Sequence, residues 1–566
     1  MNPKLVRTLA LLAGLIVVIG AFAAKSLTGG SGGAGGGETK TAAAAGEIGV
    51  TMAYSPEKDA LLTKAFAQFN AKQVKIGGKR VVAIGQKVSS GTAYASLAAG
   101  KLKPTIWSPS SSLWGRLLTQ TADVSWIPRT SPSFARTPLV IAIWEQQARA
   151  LGWPKKQLGF ADILAEARNP EGFTRLGHPE WGRFRLGHTN PDFSTSGLSA
   201  VAAEYYAATG KSEGLTLDDL EQPSVRAQIR AIEASIVHYG DTTLFFAEQL
   251  AKRGPAYASA VAMEETTLID FNTRLRAKGG QKLVAIYPKE GTFFSDNPLI
   301  TLAAPWVDAD QAAGAAKLVA FLQTADLQRE VGLAGFRPAS TAVPMPETIS
   351  ARNGVDPAQP ERLLSLPEPK VLARLKALWR EDRKPADVAI VLDTSGSMQD
   401  EGKLDAAKLG LKRFIKAFAP QDRASLIVFN DRPSELTPLE RLGPQNRGDL
   451  LSRVDGLFAS GGTAVFDATE QGLALLRRDG DPDHIQAVVV LTDGQDTRSQ
   501  LTAPKLLRLI DSRTGEQTSQ RIFTIAYGSD ANRDELGQIS AASGGVAYAG
   551  DAETIDNVYI SISSFF

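Results

Sequence analysis

Two stretches of the chain are apolar at every position, Val388-Ala389-Ile390-Val391-Leu392 and Ala487-Val488-Val489-Val490-Leu491. Uninterrupted runs of this length, bounded by polar residues and Gly, predict strands covered on both faces, as in a parallel sheet flanked by helices. Between and after them, the spacing of Leu404, Ala407, Leu411, Ile415 and Phe418 fits the face of a helix at 3.6 residues per turn. Further strands are predicted at 426–429 and 522–527, and a last helix at 552–563. Upstream the texture is similar but the runs are shorter. Strands are predicted at 48–53, 81–84 and 105–107, each ending in a hydroxyl-rich loop. Ser55-Pro56-Glu57-Lys58 reads as a helix start, with Ser55 as N-cap and Pro at the first helical position, and Leu61, Leu62, Ala65, Phe66 and Phe69 supply its buried face. Strands alternating with helices in this way predict a doubly wound α/β arrangement.

The chemistry collects where the two long runs stop. Asp393-Thr394-Ser395-Gly396-Ser397 follows the first run and Thr492-Asp493-Gly494 follows the second, while Ser460-Gly461-Gly462-Thr463 opens a helix between them. In open α/β sheets the carboxyl ends of the strands are where ligands bind. One carboxylate and two hydroxyls at alternate positions, with a Gly for the turn, offer a hard cation half of an all-oxygen shell. On Asp393, Ser395, Ser397, Thr463 and Asp493, in that order, the carboxyl-terminal part resembles a von Willebrand factor type A domain with a metal-ion-dependent adhesion site. The resemblance implies that Ser395, Ser397 and Thr463 bind the ion directly and that Asp393 and Asp493 act mostly through water. A site with few direct carboxylates leaves the cation electrophilic, so it attracts a carboxylate from a protein partner. Few ligands and retained waters suit Mg²⁺ better than Ca²⁺. The competing reading makes the Asp residues helix caps and the Ser residues turn formers.

Two later segments share a pattern, Thr137-Pro138-Leu139-Val140-Ile141-Ala142-Ile143-Trp144 and Asn297-Pro298-Leu299-Ile300-Thr301-Leu302. With them, the stretch 47–345 resembles a bacterial extracellular solute-binding protein of the two-lobed, type II periplasmic kind, in which paired strands cross between lobes. A ferredoxin-like or simple Rossmann module is the alternative, and it accounts poorly for the twin crossings. Gly187-His188-Thr189-Asn190-Pro191-Asp192-Phe193-Ser194-Thr195-Ser196-Gly197 looks like the ligand loop of the second lobe, and Met263-Glu264-Glu265-Thr266 like a further lining loop. The candidate ligand residues are Ser55, Ser89, Ser90, Ser110, Asn190, Thr195, Ser196 and Glu264. Hydroxyls combined with helix N-termini favour an anion or a small polar solute. The same residues serve equally well as helix caps, and such a fold can be reused for protein contact.

Composition narrows the function classes. Lys and Arg total 62 against 60 Asp and Glu, for a net charge of +2, and no basic block with interleaved aromatics is present, which argues against nucleic acid. The absence of Cys excludes disulfides, thiolate metal sites and a Cys nucleophile. Lys4 and Arg7 precede an apolar stretch at 9–24, so the rest of the chain is expected outside the cytoplasm, held by residues 5–24 as a membrane anchor. Cleavage near Ala21-Phe22-Ala23 is the alternative, which would leave a secreted or periplasmic protein. The expected organisation is a signal or anchor at 1–28, a glycine-rich linker at 29–46, the two-lobed domain at 47–345, a connector at 346–385 and the adhesion-type domain at 386–566. Enzyme signals are poor. His178, His188, His238 and His484 lack metal-ligand spacing, and Gly210-Lys211-Ser212 fails as a phosphate loop because Tyr205 stands where its first Gly should be. The sequence therefore points to a surface-exposed, non-enzymatic binding protein. The alternative is a solute receptor or transport accessory.

Overall fold

The computed structural model describes residues 43–277, 279–511 and 520–566. The expected anchor or signal at 5–24 and the glycine tether at 29–37 lie outside them. No helix among the described residues is long and apolar enough to cross a membrane. The chain divides into two units between Asp382 and Arg383.

The first unit contains two sheets, one per lobe. The sheet of the first lobe runs in the order Ile300–Thr301, Ile106–Ser108, Ile48–Tyr54, Lys79–Lys87, Lys75–Ile76, with parallel pairing among the middle three and an antiparallel strand at each edge. The helix Asp59–Ala71 buries Leu62, Phe66 and Phe69 against Val50, Met52 and Val81, the face its apolar spacing predicts. Each such side chain contributes about 1.5–3 kcal/mol by leaving water. The sheet of the second lobe runs Arg337–Pro338, Ala135–Trp144, Ala260–Glu264, Leu186–His188, and Leu283–Ile286 and Phe294–Ser295 also pair with Ala135–Trp144. Residues 132–134, just ahead of the first look-alike segment, run beside the start of the second: Phe134 N donates to Asn297 O at 2.9 Å and Leu299 N to Pro132 O at 2.8 Å. The first segment itself pairs with second-lobe strands and the second continues into the first-lobe sheet, so the chain passes between the lobes here twice.

Residues 346–382 belong to this unit and do not form a free connector. The helix Pro369–Asp382 buries Val371, Leu372, Leu375, Leu378 and Trp379 and packs on helices of both lobes, Leu113–Ala122 in the first and Thr195–Thr209 in the second. Its polar side closes on Asp192 of the second-lobe loop. Arg380 donates to both Asp192 oxygens at 2.6 and 2.8 Å, and Lys376 Nζ lies 3.2 Å from Asp192 while sitting over the Trp114 ring of the first lobe at 5.0 Å. Burial would raise the Asp192 carboxyl, but the two cations outweigh it and hold it well below the usual carboxylate range. The lobes also touch directly, through Gly91 N to Phe193 O at 3.0 Å and Trp114 Nε1 to Thr195 Oγ1 at 2.8 Å.

The second unit is one six-stranded sheet in the order Pro433–Arg441, Arg423–Phe429, Ala386–Asp393, Ile485–Thr492, Arg521–Tyr527, Ala547–Gly550, antiparallel only at the first strand. The two long apolar runs are adjacent central strands, buried at every position. The two edge strands are not predicted from the sequence. Pro433–Arg441 is polar, contains two prolines and pairs with a shifted register, all features of an edge that faces water.

At the amino end of the central strand Asp387 is fully buried. It accepts hydrogen bonds from Arg423 Nε, His484 Nδ1 and Asp481 N, each at 2.7 Å. Burial alone would raise this carboxyl; the bonds from His484 and Arg423 reverse that and lower it. A depressed carboxylate stabilises the fold above its unfolded pKa of about 3.9 and loses that contribution as pH falls through its folded value. Asp387→Asn is therefore expected to destabilise this unit by about 2–3 kcal/mol at pH 7, because Arg423 and His484 lose their anion. Denaturant unfolding of both proteins at pH 7 and at about pH 3 checks this, and the difference between them should shrink at the lower pH.

Candidate functional site

The central strands of the second unit end in carboxylates because beyond them the chain leaves the apolar core. Asp393 and Asp493 are 0% and 1% exposed, and Ser395 is 1% exposed. Asp393 Oδ1 accepts from Ser395 N at 2.7 Å and Oδ2 from Thr492 Oγ1 at 2.6 Å, so this carboxylate also ties the two strand ends together. Ser395 Oγ and Ser397 Oγ are 3.1 Å apart, and Ser397 Oγ donates to Asp493 Oδ1 at 2.7 Å. The glycine loop is pinned beside them: Gly396 N donates to Gly461 O at 3.0 Å and Ser460 N to Thr394 O at 2.8 Å, with Gly461 at φ +79° where a side chain would be strained. Thr463 arrives at the same place, for a Cβ on Gly494 would lie 3.4 Å from Thr463 Oγ1 and 4.0 Å from Ser397 Oγ. The bare glycine keeps that space open.

The five residues picked out by the spacing thus converge at one edge of the sheet. Their donors are three hydroxyls and two carboxylates, a set that fits a hard divalent cation holding several waters. Burial pushes the Asp393 carboxyl up to about 6, against the hydrogen bonds from Thr492 and Ser395 that lower it. One residue of the site gives no signal in the sequence. Lys403 Nζ, at the start of the helix Lys403–Ala417, lies 2.8 Å from Asp493 Oδ2. It brings a fixed positive charge to the carboxylate opposite Ser397.

The cleft of the first unit encloses about 310 Å³ of empty space, its mouth included. Ser55, Ser89, Ser90, Ser110, Thr195 and Glu264 line it, as expected, but Asn190 and Ser196 do not. Asn190 is buried behind the loop and accepts from Asp192 N at 2.9 Å. Ser196 bonds with Ser194 Oγ at 3.0 Å and Thr189 Oγ1 at 3.1 Å. Ser55 does not cap the following helix. Its hydroxyl donates to Glu57 Oε1 at 2.5 Å, and Ser110 Oγ donates to the same oxygen at 2.8 Å.

The lining of the cleft is acidic as well as hydroxyl-rich. Glu57 and Asp241 join Glu264 along the cleft, and among the described residues lining it there is no Lys or Arg. The nearby Lys58 is fully buried and directs its ammonium at Ser108 O, Ser108 Oγ and Pro109 O, at 2.8, 3.1 and 3.1 Å; burial lowers its pKa to about 8. Glu264 is pushed up to about 7 by burial and by the charge of Glu57. In the sequence Glu57 reads as the acidic first turn of a helix, and Asp241 and Thr243 have no motif around them.

Comparison with known proteins agrees with this geometry. Residues 387–559 match the family described as von Willebrand factor type A domain, and residues 50–337 match the family described as bacterial extracellular solute-binding protein. A stretch of 120 residues is 28% identical to the E3 ubiquitin-protein ligase WAV3 of Arabidopsis thaliana, covering 21% of this chain and 16% of that protein. The chain thus spans about a sixth of that relative's length. Among solved structures, a von Willebrand factor type A protein from Catenulispora acidiphila is 24% identical over 32% of this chain and 42% of its own, with a TM-score of 0.29. The periplasmic binding protein AfuA from Actinobacillus pleuropneumoniae, solved with fructose-6-phosphate bound, is 12% identical over 59% of this chain and 98% of its own, with a TM-score of 0.43. Through residues 50–337, half of its length, the chain belongs to the bacterial extracellular solute-binding proteins, and over residues 387–559 it carries a von Willebrand factor type A domain.

Proposed function

We propose that the chain is an extracytoplasmic, non-enzymatic binding protein, held at the membrane by residues 5–24, whose carboxyl-terminal unit grips a protein partner through a divalent ion. The observation that carries this reading is the convergence of Asp393, Ser395, Ser397, Thr463 and Asp493 from three loops onto one sheet edge. When bound there, Mg²⁺ supplies an electrophilic point that a partner carboxylate completes. The chain's own residues do the rest. The three hydroxyls provide neutral oxygens, the two carboxylates orient them, and Lys403 offsets part of the Asp493 charge so that an incoming carboxylate is still attracted. His484, the histidine of this unit, bonds to Asp387 at the opposite end of the sheet.

The cleft supports a second, independent activity, capture of a small polar solute that is neutral or cationic. Its hydroxyls suit either kind, and the carboxylates of Glu57 and Asp241, joined by Glu264 once it ionises above about pH 7, favour a cation over an oxyanion.

For the metal centre, partner capture from an envelope extract should fall to background when Asp393→Ala replaces the wild type or when chelator is added, and Mg²⁺ should rescue the chelated wild type alone. Capture by the chelated variant at the wild-type level would end the metal reading. Lys403→Met should tighten Mn²⁺ binding in calorimetry by about tenfold, since it removes a like charge beside the ion.

For the cleft, a thermal-shift screen of small amines, polyols and oxyanions should stabilise the wild type with a compound of the first two classes, and Glu264→Gln should lose the response to amines. Because the folded protein holds the Glu264 proton up to about pH 7 while the unfolded chain releases it near pH 4.3, ionisation costs stability as pH rises through that window. Glu264→Gln should therefore melt above the wild type at pH 8 and level with it at about pH 4. Stabilisation by an oxyanion alone would reverse the assignment.

A further inference from the structure

A second cluster of ligating side chains lies inside the second lobe. His188 ends the strand Leu186–His188, Glu204 lies on the helix Thr195–Thr209, and Glu233 is the last residue of the helix Pro223–Glu233. The three are 0%, 1% and 0% exposed, and one donor atom from each lies within 4.8 Å of the others. His188 Nδ1 is 2.8 Å from the Thr189 carbonyl oxygen, which can only accept, so a ring proton sits on Nδ1. Nε2 faces the carboxylates. It is 3.3 Å from Glu233 Oε1, long for a hydrogen bond of about 2.9–3.0 Å. That distance matches the spacing of about 3.4 Å between two donors on a tetrahedral ion with bonds of about 2.0–2.1 Å.

The surroundings follow the same logic. Metal-bound histidines donate their other N–H to a carbonyl or carboxylate, and metal-bound carboxylates are themselves hydrogen-bonded. Thr189 O fills the first role, and Tyr239 OH, donating to Glu233 Oε2 at 2.6 Å, fills the second. Glu204 Oε2 is buried with no hydrogen-bond partner. One imidazole and two carboxyl groups are buried together there, and a buried polar atom without a partner is costly. A bond between the ring and Glu233 leaves the Glu204 oxygen unsatisfied, whereas a divalent ion set among the three donors answers both carboxyl groups at once.

We propose that His188, Glu204 and Glu233 form a buried three-residue site for a first-row divalent cation, its fourth position left to a water, with Zn²⁺ the ion best suited to one imidazole and two carboxylates. The site would pin two helices to the end of a strand directly behind the cleft loop, where Thr189 Oγ1 meets Ser196 Oγ at 3.1 Å. It differs in kind from the hydroxyl-rich centre of the other unit, because it has a nitrogen donor and is sealed from solvent.

The test uses full-length protein carrying Asp393→Ala, so that the carboxyl-edge centre does not contribute. After incubation with Zn²⁺ and gel filtration, about one equivalent should remain per chain. The Co²⁺-loaded protein should show the strong visible absorption of a four-coordinate site. Glu204→Gln and His188→Gln should each cut zinc retention about tenfold or more and remove the absorption. Absence of retained zinc in the parent, weak octahedral bands only, or full retention in Glu204→Gln would overturn the proposal and leave a His–Glu–Glu network that holds a proton or a water. If the variants fail to fold, the parent's cobalt spectrum decides the matter alone.

Discussion

A carboxylate can be buried only if something answers its charge, and this chain buries carboxylates at every place where its function is built. The central strand Ala386–Asp393 has no exposed face, so its polar groups can stand only at its two ends. At one end Asp387 is answered by Arg423 and His484 from within the chain. At the other, Asp393 is answered only by hydroxyl and amide donors, which leaves its charge free for a cation. The same strand therefore carries a carboxylate answered by cations at one end and a carboxylate answered by neutral donors at the other. The first unit repeats the contrast, with Asp192 clasped by two cations and Glu264 sharing with Glu57 a cleft whose described lining residues include no Lys or Arg.

How much of this is legible in the sequence depends on how local the signal is. Asp393-x-Ser-x-Ser is legible because a single turn sets the spacing of its oxygens, and Asp493 because it ends a run that could only be a buried strand. Lys403 is not, because its proximity to Asp493 exists only once strand, turn and helix are assembled across 90 residues. Ser55 shows the opposite failure. Its local pattern is that of an N-cap, yet its hydroxyl bonds Glu57, and the shared acceptor is contributed to by Ser110 from a neighbouring strand end. A local rule is overridden there by a contact that only the sheet creates. The charge of the cleft is hidden for the same reason, since its hydroxyls are legible but the carboxylates that the fold brings among them are spread over 57, 241 and 264.

The edge strands and the helix Pro369–Asp382 mark another limit. An edge strand such as Pro433–Arg441 is selected to look unlike a strand, so a pattern that finds buried runs will pass over it. The helix has the expected apolar face, but nothing in its sequence says that the face is shared between two lobes. Its polar side is as informative as its apolar one, since Lys376 and Arg380 converge on one aspartate that lies far away in the sequence.

That clasp has a kinetic meaning. Arg380 and Lys376 fix the helix to Asp192 of the second lobe, so for the lobes to part, the Lys376 cation over Trp114, the Trp114–Thr195 bond and the Gly91–Phe193 bond must break together. Exchange of any solute is then timed by this rupture and not by diffusion to an open mouth. If the cleft takes the solute proposed for it, such a latch would lengthen the solute's stay and suit a component that keeps one molecule in place better than one that samples its surroundings.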